Sequence, residues 1–191
     1  EQGLLININN VKPLELATMS FGQANLVTPI QLHSAICAVA NGGKLMQPYI
    51  LDKITTKDNH TVFRNNPKLV RQVISESTSA IMTDILVSVV DEGTGGRAKI
   101  PGIKVAGKTG TAQKIDPKTG AYSEEDFIVS FVAYAPADNP IIAVLVVIDS
   151  PKAEVIQGGT LAGPYAKKII ESTLQYYGIP VASDTKSHIN N

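Results

Sequence analysis

Two apolar runs, Phe127 to Ala135 and Ile141 to Asp149, flank the spacer Pro136-Ala137-Asp138-Asn139-Pro140 and limit the possible folds more than any other feature. Two prolines, an aspartate and an asparagine are the chemistry of a turn. A connection this short joins antiparallel neighbours, because a parallel crossover needs a dozen or more residues. The second run is nearly continuous in Ile, Val, Ala and Leu. Cover on both faces is therefore expected, with this strand in the middle of a sheet. Ahead of both, Ile103, Val105 and Ala106 lead into Lys108-Thr109-Gly110-Thr111 and predict a third strand. The polar stretch from Asp116-Pro117-Lys118-Thr119-Gly120 through Asp126 reads as a hairpin loop between the first two strands, so the three form an antiparallel meander.

Helices should back this sheet. Thr28 as N-cap, Pro29 at the first helical position and Gln31 as the capping-box partner open one helix. Leu32, Ala35, Ile36, Val39 and Ala40 give it an apolar stripe, and Asn41-Gly42-Gly43 ends it. A second is expected from Ser77 to Glu92, with Ile81, Met82, Ile85, Leu86, Val89 and Val90 on one face and Gly93 as its stop. The last should run from Pro164 to Tyr177 on a stripe of Ala166, Ile169, Ile170, Thr173, Leu174 and Tyr177. Residues 44–74 read as a peripheral hairpin, residues 1–27 carry no firm element, and the polar tail from Ala182 should be frayed.

Composition narrows the function classes. Apolar residues make up 43% and charged residues 18%, as in a globular domain, and the formal net charge is zero. The global balance therefore gives no reason to expect nucleic acid or an anionic membrane as partner. The longest apolar run, Ile141 to Ile148, is too short to span a bilayer. The chain starts at Glu1 rather than methionine, which leaves room for a processed or preceding segment. Cys37 is the only cysteine, so no disulfide framework and no zinc cluster are expected. His33, four residues before Cys37, lacks a third metal ligand nearby and reads as a core or surface residue. Gly93-Thr94-Gly95-Gly96-Arg97 follows a helix and leads toward a strand, the reverse of a phosphate-binding loop, and reads as a helix stop.

Two chemistries compete for Lys108. Gly102-Ile103-Lys104-Val105-Ala106-Gly107-Lys108-Thr109 matches the P-loop pattern letter for letter, and Thr109 would then bind magnesium. That loop needs an apolar strand before its first glycine and a helix starting at the lysine, so that a helix N-terminus faces phosphate. Ala98-Lys99-Ile100-Pro101 precedes it, and no helical period follows. The alternative is the Lys-Thr-Gly strand of serine acyltransferases that accept penicillin-type substrates. There a cation, two hydroxyls and a glycine backbone lie side by side and can grip an anion.

Several stretches in order resemble the class B penicillin-binding proteins, the peptidoglycan D,D-transpeptidases. They are Ser20-Phe21-Gly22-Gln23 with Val27-Thr28-Pro29-Ile30-Gln31-Leu32, then Ala40-Asn41-Gly42-Gly43 and Val105 to Gln113. Ser130 to Pro140 and Gly158-Gly159-Thr160 complete the set, most like the sporulation- and division-type enzymes of Gram-positive bacteria. The resemblance implies an α+β fold (an α/β sandwich), with an antiparallel sheet backed by helices as in penicillin-binding transpeptidases and serine β-lactamases. It also implies that Lys108 holds positive charge beside the reactive serine and that the Thr109 and Thr111 hydroxyls bind the substrate carboxylate. Gly110 would keep the strand edge open, and the Thr111 N–H would supply half of an oxyanion hole. The mechanism it implies uses no metal and no organic cofactor. The implied partners are peptidoglycan stem peptides, β-lactams and the cell-wall synthesis machinery, at the outer face of a bacterial membrane where the parent is anchored.

That family also uses a serine in S-x-x-K, whose lysine takes the serine's proton, and an S-x-N element. S-x-N does not occur here, and the single S-x-x-K, Ser183-Asp184-Thr185-Lys186, lies in the polar tail rather than ahead of Lys108. Ser183 is therefore not expected to be the nucleophile. Residues 1–181 read as the C-terminal portion of a transpeptidase domain, its partner being the missing N-terminal half, with 182–191 as a tail. In the family, strands preceding the S-x-x-K helix flank the last strand of the sheet; without them the Ile141–Ile148 strand should expose an apolar edge, so alone the chain should fold poorly and should not be acylated. A non-catalytic sensor or scaffold with the same fold is the second reading.

Overall fold

The computed structural model describes residues 3, 6–23 and 25–182. The expectations for the tail beyond Ala182, including Ser183 to Lys186, lie outside the described residues.

The meander forms as β5 (Ala106–Ile115), β6 (Tyr122–Ala135) and β7 (Ile142–Asp149), in the order β5-β6-β7 with both pairings antiparallel. Lys108 lies opposite Val132, Gly110 opposite Ser130 and Thr111 opposite Val129. One expectation about this sheet needs correction. The hairpin loop spans only 116–121, because β6 begins at Tyr122 rather than Phe127. The turn closes on Asp116, whose N–H donates to the Ala121 carbonyl and whose own carbonyl accepts from Gly120, a residue at φ +70°. Glu124 and Glu125 are polar yet extended, since the sheet there projects beyond the layers that cover it.

One strand has neighbours on both sides among the described residues. It is β6, where Val129, Phe131, Ala133, Tyr134 and Ala135 are all fully buried. β7 pairs only with β6 among the described residues, and its Val147 is 43% exposed. The continuous apolar run of β7 is thus left with an open edge, as expected for a chain without the strands that flank it in the family.

Alternation along β6 divides the core into two layers. Phe131, Ala133 and Ala135 face α5 (Gly163–Tyr176), packing with Ala166, Ile170 and Leu174. Tyr134 faces the opposite layer, where Leu86 of α3 (Glu76–Asp91) and Ile36, Val39 and Ala40 of α2 (Pro29–Ala40) close over it. Helix, sheet and helix pair make the expected three-layer α+β sandwich. Tyr134 also bonds α3 directly, its hydroxyl 2.8 Å from Thr83 Oγ1.

The local signals account for the helix ends. Thr28 Oγ1 accepts the Gln31 N–H at 3.3 Å, while Gln31 Oε1 accepts the Thr28 N–H at 2.9 Å. α2 ends in Asn41 and two glycines at positive φ. Ser75 caps α3 by accepting the Thr78 N–H, one residue earlier than the sequence suggests. Of the apolar face predicted for α3, Leu86 and Val90 are buried, whereas Ile81, Met82 and Ile85 are exposed. The part of α3 that meets the sheet is its Ser79–Leu86–Val90 line, and the other three residues look away from it. On α5, Ala166, Ile170 and Leu174 are buried at four-residue spacing, but Ile169 and Tyr177 are not.

Two short helices were not foreseen. α1 (Pro13–Met19) starts where the Glu15 carboxylate accepts the Lys12 N–H at 2.8 Å. α4 (Gly158–Leu161) precedes α5 and meets it at Ala162. Residues 44–72 form the expected peripheral feature as two small antiparallel ladders. β1 (Lys44–Met46) pairs β4 (Leu69–Gln72), and β2 (Lys53–Thr55) pairs β3 (Thr61–Arg64).

Candidate active site

The four residues of interest lie together in the middle of β5, an edge strand. No described strand pairs its outer side, so alternate main-chain groups there are open to a ligand. Lys108 is exposed, and its ammonium donates to the Thr109 carbonyl at 2.9 Å. No carboxylate pairs with it among the described residues. The P-loop reading fails on this geometry, because Lys108 sits within a ten-residue strand and no helix begins there.

Both threonine hydroxyls are held from behind by groups outside the strand. Thr111 Oγ1 accepts the Gly158 N–H at 3.3 Å. Thr109 Oγ1 lies 3.1 Å from the hydroxyl of Thr94, in the glycine-rich loop after α3. A hydroxyl whose lone pair is already filled by a donor has its own proton free to give, which suits an anionic ligand.

The glycines explain how the main chain comes so close. A Cβ on Gly158 would collide with the carbonyl oxygens of Ser130 and Gly110, and one on Gly159 with the Thr94 carbonyl oxygen. Gly110 has a similar constraint, since its Cβ would run into Ser130 Oγ. The close main-chain approach expected at Gly110 is thus made, on one side, by Gly158 of the same chain. Gly107 has no room either, with the Phe131 ring 2.9 Å from where its Cβ would be.

Sequence reading missed Thr94 and gave Gly158 no role. Thr94 was legible only as part of a glycine-rich helix stop; nothing local says that the loop returns to β5. His33 and Cys37 lie half-buried on α2, and burial pushes the Cys37 thiol above its ordinary pKa. No group of three His, Cys, Asp or Glu side chains poised for a metal occurs among the described residues.

The sandwich is shared with known proteins. Residues 2–171 match the penicillin binding protein transpeptidase domain family. The chain belongs to that family. It is 45% identical over 181 residues to the stage V sporulation protein D of Bacillus subtilis, covering 93% of this chain and 27% of that protein. A peptidoglycan D,D-transpeptidase FtsI homolog of Mesostigma viride is 37% identical, with 92% of this chain and 31% of the relative aligned. The chain thus spans roughly a third or less of these relatives' own length. Among solved structures, the TP domain of Burkholderia pseudomallei penicillin-binding protein 3 superposes with a TM-score of 0.79 at 34% identity, over 95% of this chain and 52% of that one. Penicillin binding protein 3 of Mycobacterium tuberculosis in complex with aztreonam gives 0.82 at 28% identity, over 95% and 42%.

Proposed function

We propose that these residues form the Lys-Thr-Gly half of a peptidoglycan D,D-transpeptidase domain, residues 1–181 contributing to one catalytic unit. The observation that carries the reading is the edge strand with an exposed ammonium at Lys108, which has no carboxylate partner among the described residues, and two back-bonded hydroxyls at Thr109 and Thr111. In this reading the carboxylate of a stem peptide, or of a β-lactam, sits against the two hydroxyls. The serine of the complementary half attacks the adjacent carbonyl carbon, and its proton passes to the neighbouring lysine and on to the leaving amine. Lys108 stabilises the developing negative charge and bridges to the S-x-N element. The Thr111 N–H donates to the oxyanion; one donor in such a site contributes roughly 10²–10³-fold in rate. The acyl group then passes to an amine of a second stem peptide, which forms the cross-link.

The complementary half supplies the serine and also covers apolar surface. Leu14, Leu16, Phe21, Leu26, Ile30, Ile81 and Ile85 are all more than half exposed. The reading places the domain outside the bacterial membrane with the cell-wall synthesis machinery, anchored by a helix elsewhere in the parent. Among the described residues no helix is long and apolar enough to cross a membrane. Intact-mass spectrometry with and without penicillin tests the proposal. The 191 residues joined to the serine-bearing half should gain one penicillin mass, and the 191 residues alone should gain none. No adduct on the joined protein would favour the sensor or scaffold reading, and an adduct on the isolated chain would place a nucleophile within it.

A further inference from the structure

We propose that Thr94 is a positioning residue for the anion site, acting through Thr109. The inference rests on the transpeptidase reading and adds to it a residue on a loop that reads in sequence only as a helix stop. Thr94 Oγ1 has a single protein partner among the described residues, Thr109 Oγ1 at 3.1 Å. Thr109 Oγ1 likewise has no other. A hydroxyl pair like this has two proton arrangements. If Thr109 donates to Thr94, it shows an incoming carboxylate only lone pairs. If Thr94 donates to Thr109, the Thr109 proton is free for the ligand.

An anion selects the second arrangement, and Thr94 makes it available. The neighbouring hydroxyl is set the same way by a group that can only donate, the Gly158 N–H on Thr111 Oγ1. The loop is fixed at its post by main-chain contacts. The Gly95 N–H donates to the Val89 carbonyl at 2.9 Å, and Gly159 lies so close to the Thr94 carbonyl that a side chain there is excluded. Thr94 itself is exposed, so the hydroxyl pair opens to solvent and to a ligand.

The test compares acylation rate constants of the joined, serine-bearing domain with a β-lactam free acid and with its methyl ester. Thr94→Val keeps the shape and removes the hydroxyl, Thr94→Ala guards against a misfolded valine variant, and Thr94→Ser restores the hydroxyl. Loss of one such hydrogen bond should slow reaction with the free acid by roughly five- to tenfold. The ester, which has no carboxylate to hold, should react within twofold of the wild type, and Thr94→Ser should be near wild type with both. Equal slowing with acid and ester, or an unchanged rate with the acid, would overturn the inference while leaving the transpeptidase reading intact, provided that Thr109→Val slows the acid. A wild-type domain that is not acylated at all would bring down both.

Discussion

At the residue scale, the sharpest contrast is between polar groups that share a partner and those that do not. Thr83 Oγ1 donates to the Ser79 carbonyl at 2.9 Å, so the Tyr134 hydroxyl is the donor in the bond between them. Burial holds the Tyr134 phenol above its ordinary pKa. Tyr134→Phe leaves Thr83 satisfied and should cost about 1 kcal/mol. Thr83→Val strands a buried phenol hydroxyl and should cost about 1–3 kcal/mol. Urea denaturation of the joined domain measures both, and a milder effect for Thr83→Val would contradict this account. Lys108 is a different case, because it is exposed and contributes little to packing. Lys108→Ala should leave the melting temperature within a few degrees yet slow penicillin acylation by roughly 10²–10³-fold.

At the element scale, β5 is held in register at the site and again at its far end. Near the site, Gly158 fits against the main chain of Gly110 and Ser130, with Gly110 N 3.1 Å from where a Cβ would stand. Carbonyl oxygens of a sheet cannot swing aside as a side-chain tip can. Gly158→Ala should therefore destabilise the domain by about 1–3 kcal/mol and also slow acylation, by shifting α4 from Thr111. At the far end, Lys114 Nζ spans β6 to reach Asp149 Oδ1 of β7 at 2.8 Å and Ser150 Oγ at 3.2 Å. The bond from Lys114, then that from Ser150, holds the Asp149 carboxyl below its ordinary pKa; the same bond holds Lys114 above its own. A depressed carboxyl stabilises the fold above its unfolded pKa, and this is lost as pH falls through the folded value. A raised lysine stabilises below its unfolded pKa and loses this as pH rises through the folded value. The pair therefore contributes across the neutral range and fails at both extremes. Carbon NMR should show the Asp149 carboxyl titrating below an ordinary aspartate and moving up in Lys114→Met. An unmoved midpoint would mean that the ion pair does not persist in solution.

Taken as a whole molecule, the chain buries some of its apolar residues and leaves others open. The α5 side carries the larger core, with Ala162, Ala166, Ile170 and Leu174 fully buried. Elsewhere Leu14 and Leu16 of α1, Phe21 just after it, and Ile81 and Ile85 of α3 are each more than half exposed. The isolated 191 residues should bind a hydrophobic dye and aggregate on mild heating, and co-expression with the serine-bearing half should suppress both. A monodisperse isolated chain that melts cooperatively without dye binding would show that these residues need no cover.

What the sequence determined was everything written in local periods and caps. Thr28-Pro29-Ile30-Gln31, Asn41-Gly42-Gly43 and the four-residue spacing of Ala166, Ile170 and Leu174 each act within one turn of chain, so the helices could be located directly. The apolar runs around Pro136 to Pro140 dictated an antiparallel meander, and Lys108 to Thr111 named the candidate chemistry. Tertiary structure alone decided what flanks each strand. An apolar run states that a strand is buried, but its neighbours are chosen by partners far along the chain; among the described residues β6 has two and β7 has one. It also decided which side of α3 meets the sheet, since both the Leu86–Val90 line and the Ile81–Ile85 line are apolar. Finally, it brought Thr94 and Gly158 against Thr109 and Thr111 from 15 and 47 residues away. Such contacts depend on how elements cross in space, and no spacing along the chain encodes them.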